Sequence, residues 1–181
     1  MKNAVTSQNI PSSIYVDGRQ FVPTERTAAR VDRVERWYLK PLLDMGGHSG
    51  FVCLDLCFPL YERYLRSVGA IKETENFSEG HSVFDKIGKH LGLPSRIAYF
   101  VWQDIRNGLL HKAMPDKKGG FNYVLTRDGT AIAEQKPNNE IWINPFLFRD
   151  KVVELVRSEP SMWRDDPALA REWKYEDWGA S

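Results

Sequence analysis

The sequence predicts a mainly α-helical protein, a bundle of four to five helices with a small β-hairpin late in the chain and a β-ribbon near its start. Apolar residues recur at spacings of three and four in five stretches, which is the pattern of a helix with one buried face. Two Asp-Gly pairs lie between apolar residues, which is typical of tight hairpins. With 181 residues, 42% of them hydrophobic and 27% charged, residues 1–181 are predicted to form one globular domain.

Composition excludes several classes of function. The net charge is +1, so any nucleic-acid site has to be a local patch. Cys53 and Cys57 are the only cysteines, and their apolar surroundings predict reduced core residues. No metal or cofactor is expected, because neither a ligand cluster nor a glycine-rich nucleotide loop is present. Neither a signal peptide nor a run of about 18 apolar residues is visible, so we expect a cytoplasmic protein without a membrane span.

The chain begins with a polar stretch, residues 1–13, that we expect to be disordered. Asp17-Gly18 follows between apolar residues and predicts the first hairpin, because a type I′ turn needs positive φ at both central positions. The flanking apolar residues are Ile14, Val16, Phe21 and Val22.

Two helices are predicted next. Thr24 can cap the first helix, which runs to about Met45, and Pro41 should kink or divide it. The second helix is expected over residues 51–68, with Pro59 interrupting it. Both predictions rest on apolar positions that recur with the helical period.

Charged side chains on these helices allow two interpretations. Arg26, Arg30 and Arg33 form a basic stripe, but acidic residues interleave with them. A solvated, salt-bridged face is therefore favoured over an RNA track. Asp55 and Glu62 lie on one side of the second helix. One of these carboxylates could orient a catalytic histidine, although exposed acids on an amphipathic helix are commoner.

A third helix is predicted from Ser82 to about Leu91. Ser82 and Asp85 resemble a capping box, and Gly92 followed by Pro94 ends the helix. The histidines on either side, His81 and His90, have no partners at metal spacing, so both are interpreted as surface residues.

The fourth helix carries the chemistry. Ser95 can cap it, and residues 97–114 place apolar side chains on one face. Its polar candidates are Asp104, Arg106, Asn107 and His111.

Arg106 and His111 lie roughly 140° apart on a regular helix, so one straight helix cannot aim both at one phosphate. Three arrangements could solve this: a loosened turn at Gly108, an arginine that wraps around the helix, or a second subunit that completes the site. The second subunit is preferred. The competing interpretation is a solvated helix face with no catalysis.

The segment RNGLLH, from Arg106 to His111, is an Arg-x4-His pattern with Asn107 directly after the arginine. It resembles the signature of the HEPN family, helical-bundle proteins many of which are metal-independent ribonucleases acting as dimers. The resemblance implies a HEPN-like fold, an RNA substrate and a homodimer in which two motifs face each other. It also implies a setting in a toxin–antitoxin or antiviral defence system.

Cleavage of RNA without a metal uses the substrate's 2′-OH as nucleophile, a base, an acid and a cation beside the phosphate. His111 suits proton transfer and Arg106 suits phosphate binding. Asn107 could hold His111 or the ribose, and Asp104 is a weaker candidate for orienting His111. One histidine per chain cannot be acid and base at once, which is a physical reason to expect a homodimer.

After Pro115 the pattern changes to short strands. Residues 121–125 and 130–133 flank Asp128-Gly129 and predict a second hairpin, and residues 141–143 are expected to add a third strand. The loop before them carries cations that could hold an RNA backbone, although such loops are often only solvated. These cations are Lys112, Lys117 and Lys118.

Asn144 or Pro145 opens a last helix over residues 146–158. Residues 160–181 form a tail in which aromatic residues, Trp163, Trp173, Tyr175 and Trp178 among them, alternate with charges. The tail could stack on bases or pack against its own domain or a partner. The alternative function for the whole chain is a non-catalytic interaction or sensor module. An antitoxin or other regulatory protein could bind the chain whether it is a ribonuclease or such a module.

Overall fold

The computed structural model describes residues 14–16, 19–21, 34–72, 77–159 and 162. Strands β1 (Ile14–Val16) and β2 (Arg19–Phe21) pair antiparallel, with Val16 opposite Arg19. The predicted N-terminal ribbon is therefore confirmed. The Asp17-Gly18 turn, residues 1–13, the Thr24 cap, the basic stripe and the aromatic tail residues from Trp163 onward lie outside the described residues.

The first helix has two hydrogen-bonding patterns. A π-helical turn spans Glu35–Leu39, and α1 spans Lys40–Leu43. The pattern changes immediately before Pro41, which lacks the N–H that a regular helix would use. Helical structure nevertheless continues through Pro41 to Leu43, so the predicted division does not occur, and the kink that was its alternative stays a prediction.

Helix α2 spans Gly50–Ser67 and packs against the last described helix and against the stretch that carries Arg106. It continues through Pro59, so the predicted interruption is wrong; Pro59 lies on the exposed side of the helix. The opposite side is fully buried and carries the two thiols, Cys53 and Cys57, which are free.

Helix α3 (Val83–Leu91) ends at Gly92, whose φ is 77°. The predicted capping box at its start is wrong. The Ser82 side chain makes no cap hydrogen bond, and the Val83 N–H donates to His81 Nδ1 at 3.0 Å instead. Asp85 accepts a hydrogen bond from Ser95 Oγ, so it links the start of α3 to the start of the next helix.

The fourth helical stretch has three parts: α4 (Ser95–Val101), a π-helical turn (Trp102–Arg106) and α5 (Asn107–Lys112). The widened turn thus comes immediately before Asn107 and not at Gly108, where a loosened turn was one of the three predicted arrangements. The structure gives a different physical reason for glycine at position 108. A Cβ there would lie 2.5 Å from Asp116 N and 2.5 Å from Met114 O. The following loop therefore packs backbone to backbone on α5.

Three short strands follow: β3 (Asn122–Leu125), β4 (Ala133–Lys136) and β5 (Glu140–Ile143). Their order is β3-β5-β4, with β3 parallel and β4 antiparallel to β5. The predicted hairpin at Asp128-Gly129 is wrong, because β3 and β4 are not paired. The hairpin joins β4 to β5 instead, and Asn138 and Asn139 have φ of 64° and 57°. Asparagine tolerates this left-handed conformation better than most residues.

Helix α6 (Pro145–Ser158) begins as predicted, since the Asn144 side chain accepts hydrogen bonds from the N–H groups of Phe146 and Leu147. Helix α6 packs along α2. Rings of three helical segments meet in the core: Phe58 lies 5.8 Å from Trp102 and 5.1 Å from Phe148, centroid to centroid. The prediction of a mainly α protein is confirmed. Over the described residues, no helix combines the length and apolar character needed to cross a membrane.

Candidate active site

Arg106 is the last residue of the π-helical turn and faces α2. Its Nη2 lies 2.6 Å from Glu62 Oε2, and its Nη1 donates to Asn107 Oδ1 at 2.7 Å. The guanidinium carbon is 5.9 Å from the centroid of the Trp102 ring. Two helices therefore fix the arginine by an ion pair, a hydrogen bond and a ring contact.

These contacts extend into a larger group. Glu62 uses its second oxygen, Oε1, to bind Arg66 Nη2 at 2.6 Å, and Asn107 Nδ2 donates to Gln103 Oε1 at 2.9 Å. We call Glu62, Arg66, Gln103, Arg106 and Asn107 the arginine–glutamate cluster. Its two guanidinium groups and one carboxylate leave one positive charge uncompensated within the cluster.

His111 lies one turn beyond the cluster, near the end of α5. Its side chain is exposed, and among the described residues it has no hydrogen-bond or ion-pair partner. The neighbouring apolar side chains Leu110 and Met114 are 41% and 59% exposed. The imidazole is thus available to a substrate or to another chain.

Asn107 binds Arg106 and Gln103 rather than His111. The predicted alternative in which it holds His111 is therefore not supported by its contacts. Its contacts suit a different role, which is to fix the direction of the arginine side chain.

Asp104 is fully buried and faces away from the cluster. Its carboxylate accepts hydrogen bonds from Lys118 N at 2.9 Å, Gly119 N at 3.0 Å and the Tyr123 hydroxyl at 2.8 Å. Burial, and then the hydrogen bond to Asp104, raise the pKa of Tyr123. His111 is not among the described partners of Asp104, so its contacts assign it to holding the loop after α5 and not to orienting the histidine.

The three lysines of the predicted RNA patch are exposed and partly neutralised. Lys112 Nζ lies 2.7 Å from Asp116 Oδ1, and Lys118 Nζ lies 3.9 Å from Oδ2 of the same residue. The hydrogen bond from Lys112 lowers the pKa of Asp116. Lys117 donates to Asn122 Oδ1 at 3.1 Å. The patch is weaker than the sequence suggested, because one acid serves two of its cations.

Neither of the other two histidines near α3 is a simple surface residue. His90 Nδ1 lies 2.7 Å from the hydroxyl of the buried Tyr61, and His81 accepts the N–H of Val83. Burial lowers the pKa of His90, and the nearby Lys151 and Lys86 lower it further. Both histidines have structural contacts within the domain, in contrast to His111.

Sequence reasoning missed Arg66 and Gln103 and placed Glu62 only on a helix face. The sequence did carry a signal for Arg66, because Glu62 and Arg66 lie four residues apart on one helix. Arg106 lies 44 residues from Glu62 in the chain, and no spacing within α2 indicates that the fourth helical stretch covers this carboxylate. Within the described residues, no group of three or more His, Cys, Asp or Glu side chains could hold a metal ion.

Comparison of the chain with models of protein families, with curated proteins and with solved structures finds no match in any of the three.

Proposed function

We propose that the protein is a metal-independent endoribonuclease of HEPN type, acting in the cytoplasm and cleaving RNA by attack of the 2′-OH at a dimer interface. One observation carries the proposal. A fixed arginine lies five residues before an exposed histidine that has no polar partner among the described residues, with exposed apolar side chains beside the histidine.

Arg106 is the phosphate-binding group in this proposal. A guanidinium carries five N–H donors, and the contacts to Glu62 and Asn107 occupy only two of its nitrogens, Nη1 and Nη2. The Nε–H is buried, so the second N–H groups of Nη1 and Nη2 are the donors that can stabilise the charge that develops on the phosphate oxygens. Since Glu62, Asn107 and Trp102 already fix the side chain, little conformational entropy is lost when the phosphate binds.

His111 transfers the proton. As a base it would remove the proton of the 2′-OH, and as an acid it would protonate the departing 5′-oxygen. Asn107 orients Arg106, and Asp104 acts indirectly by holding the loop that carries Lys117 and Lys118. These lysines, with Lys112, would meet the RNA backbone outside the reacting phosphate.

A homodimer completes the mechanism. Each chain supplies only one exposed histidine at this site, whereas the reaction needs a base and an acid. Leu110 and Met114, on either side of His111, offer apolar surface that a second copy can bury. Contact at this end of α5 would bring two His111 side chains to one cleft.

The direct test is cleavage of RNA in excess EDTA. We expect His111→Ala to abolish cleavage while the free energy of unfolding changes by less than about 0.5 kcal/mol, because the side chain is exposed and unpartnered. His48→Ala is the matched control, since His48 is also exposed but lies in the loop between α1 and α2. Wild-type rates in the His111 variant, or no cleavage of any RNA by the wild-type protein, would refute the proposal.

The dimer has its own test. Wild-type and His111→Ala chains are co-expressed at different ratios, and mixed dimers then form at random. If both histidines of a dimer are needed, activity falls with the square of the wild-type fraction. A linear fall would show that each chain works alone.

A non-catalytic HEPN-like interaction or sensor module, working with an antitoxin or another regulatory protein, is the second candidate. It is favoured by the contacts of Arg106, which already has an anionic partner in Glu62. In that case the exposed residues around His111 form a docking surface for another protein. Binding of that protein would depend on Leu110 and Met114, and His111→Ala would leave the function unchanged.

A further inference from the structure

We infer that Arg66 is a second phosphate-binding residue and that Arg66 and Arg106, on the two oxygens of Glu62, form one subsite for the phosphodiester backbone of RNA. The inference rests on the proposed function, because it takes the phosphate bound by Arg106 as its starting point.

The geometry is set by one carboxylate. Glu62 Oε1 lies 2.6 Å from Arg66 Nη2 and Glu62 Oε2 lies 2.6 Å from Arg106 Nη2, so the two guanidinium groups flank the same side chain. Arg66 also donates from Nη1 to the carbonyl of Lys72 at 2.8 Å. Glu62 is only 13% exposed, whereas Arg66 and Arg106 are 29% and 25% exposed. The carboxylate therefore lies beneath two cations that both reach solvent.

The charges favour an anion at this place. Two guanidinium groups bind one carboxylate, which leaves a net charge of +1 at a partly buried position. Arg106 Nε is buried and cannot be reached from solvent, but each of its Nη atoms keeps a second N–H that the described contacts do not use. A phosphate oxygen would compensate the charge and could accept from the unused N–H groups of both arginines.

Another ion pair of the same type shows what distinguishes the cluster. Arg157 binds Glu35 with both Nε and Nη2 at 2.8 Å, so one cation faces one anion and the charges cancel. Asp116 also serves two cations, Lys112 and Lys118, but these lysines are 60% and 69% exposed, so water screens their charge far more than that of the two arginines. Among the described ion pairs, Glu62 is the carboxylate that two arginines share, and the extra cation is what a phosphate would neutralise.

The test measures binding of a 2′-O-methyl RNA oligonucleotide, which lacks the nucleophile and is not cleaved, at several salt concentrations. We expect Arg66→Gln to weaken binding about tenfold, since a hydrogen bond to a charged group is lost. The slope of log K against log salt should fall by about 0.7, the contribution of one phosphate contact on a single strand. Arg157→Gln is the matched control and should change neither quantity.

A conservative variant separates phosphate binding from a merely structural role. Arg66→Lys keeps the positive charge but loses the bidentate guanidinium donor. The slope of log K against log salt should therefore stay unchanged, while the affinity for the oligonucleotide falls several-fold. Thermal unfolding of each variant reports its stability. If Arg66→Gln fails to fold, Arg66→Lys alone decides, and wild-type affinity in that variant would overturn the inference.

The outcomes distinguish the two proposals. If Arg66→Gln binds the oligonucleotide with wild-type affinity and slope, or if the wild-type protein does not bind it, the subsite is refuted. If Arg66→Gln binds weakly with a reduced slope while wild-type protein cleaves no RNA, the subsite is supported and the nuclease proposal fails.

Discussion

The fourth helical stretch has a packed segment and an exposed segment, and the two motif residues fall on opposite sides of the boundary. Residues 102–109 are all buried or half-buried, whereas residues 110–114 are all exposed. Arg106 belongs to the packed segment and His111 to the exposed one. A motif that is continuous in sequence is therefore divided by its environment.

The comparison shows which part of the helical stretch is left for a substrate or a second chain to contact. In the packed segment the polar side chains have partners: Arg106 binds Glu62 and Asn107, and Asp104 binds the loop after α5. In the exposed segment His111, Leu110 and Met114 face solvent. The packed segment supplies rigidity, and the exposed segment is the part that a substrate or a second chain would complete.

Substitutions in the packed segment should have the largest effects on stability. Gly108→Ala places a Cβ 2.5 Å from two backbone atoms, Asp116 N and Met114 O, which cannot rotate away. We expect a loss of about 3 kcal/mol or more in the free energy of unfolding, measured by urea denaturation. The clash would also displace the hydrogen bond from Asp116 N to the Asp104 carbonyl.

Gly46→Ala is the control for this prediction, because a Cβ there meets nothing within 4 Å. Equal stability of the two alanine variants would show that the loop does not pack on α5. The packed segment would then end before residue 109.

Asp104→Asn is expected to have the next largest effect. The amide can accept hydrogen bonds with its oxygen only, so its NH2 group would face one of the N–H donors that now bind the carboxylate, Lys118 N or Gly119 N. We expect a loss of about 2 kcal/mol in the free energy of unfolding. Asp128→Asn, at an exposed carboxylate in another loop, should change stability little. Equal losses in both variants would refute the role of Asp104 in holding the loop.

The smallest change in the free energy of unfolding is expected in the exposed segment, where the substitution should stabilise the protein. Ala113 ends α5 with φ of 56°, a left-handed conformation that is unfavourable for alanine. Ala113→Gly should stabilise the protein by about 0.5–1 kcal/mol, since glycine adopts this conformation freely. Ala98→Gly, in the buried middle of α4, should instead destabilise it. A destabilised Ala113 variant would contradict the observed helix end.

Local signals predicted most of the helices. The apolar periodicity gave α2 within one residue, Gly92 gave the end of α3, and Asn144 gave the start of α6. These succeeded because a helix is built from contacts three or four residues apart, and its caps lie within the same few residues.

Predictions that depended on distant partners failed. Asp128-Gly129 suggested a hairpin, yet β3 pairs with β5 in parallel and the hairpin forms at Asn138 and Asn139. Both sites have turn residues, and the choice between them is made by which strands can bury their side chains together. Pro59 is another example: it removes one backbone hydrogen bond, yet α2 continues, because the buried face of the helix packs in the core on both sides of it.

The sequence by itself determined the helical periods, the helix ends at Gly92 and Asn144, and the five-residue separation of Arg106 and His111, since these are properties of neighbouring residues. Only the tertiary structure decided that Glu62 and Arg66 would join Arg106, that Asp104 would be buried against a loop, and that His111 would remain exposed. The physical reason is that burial and ion pairing depend on which surfaces meet, and chain segments 44 residues apart meet only in the folded protein.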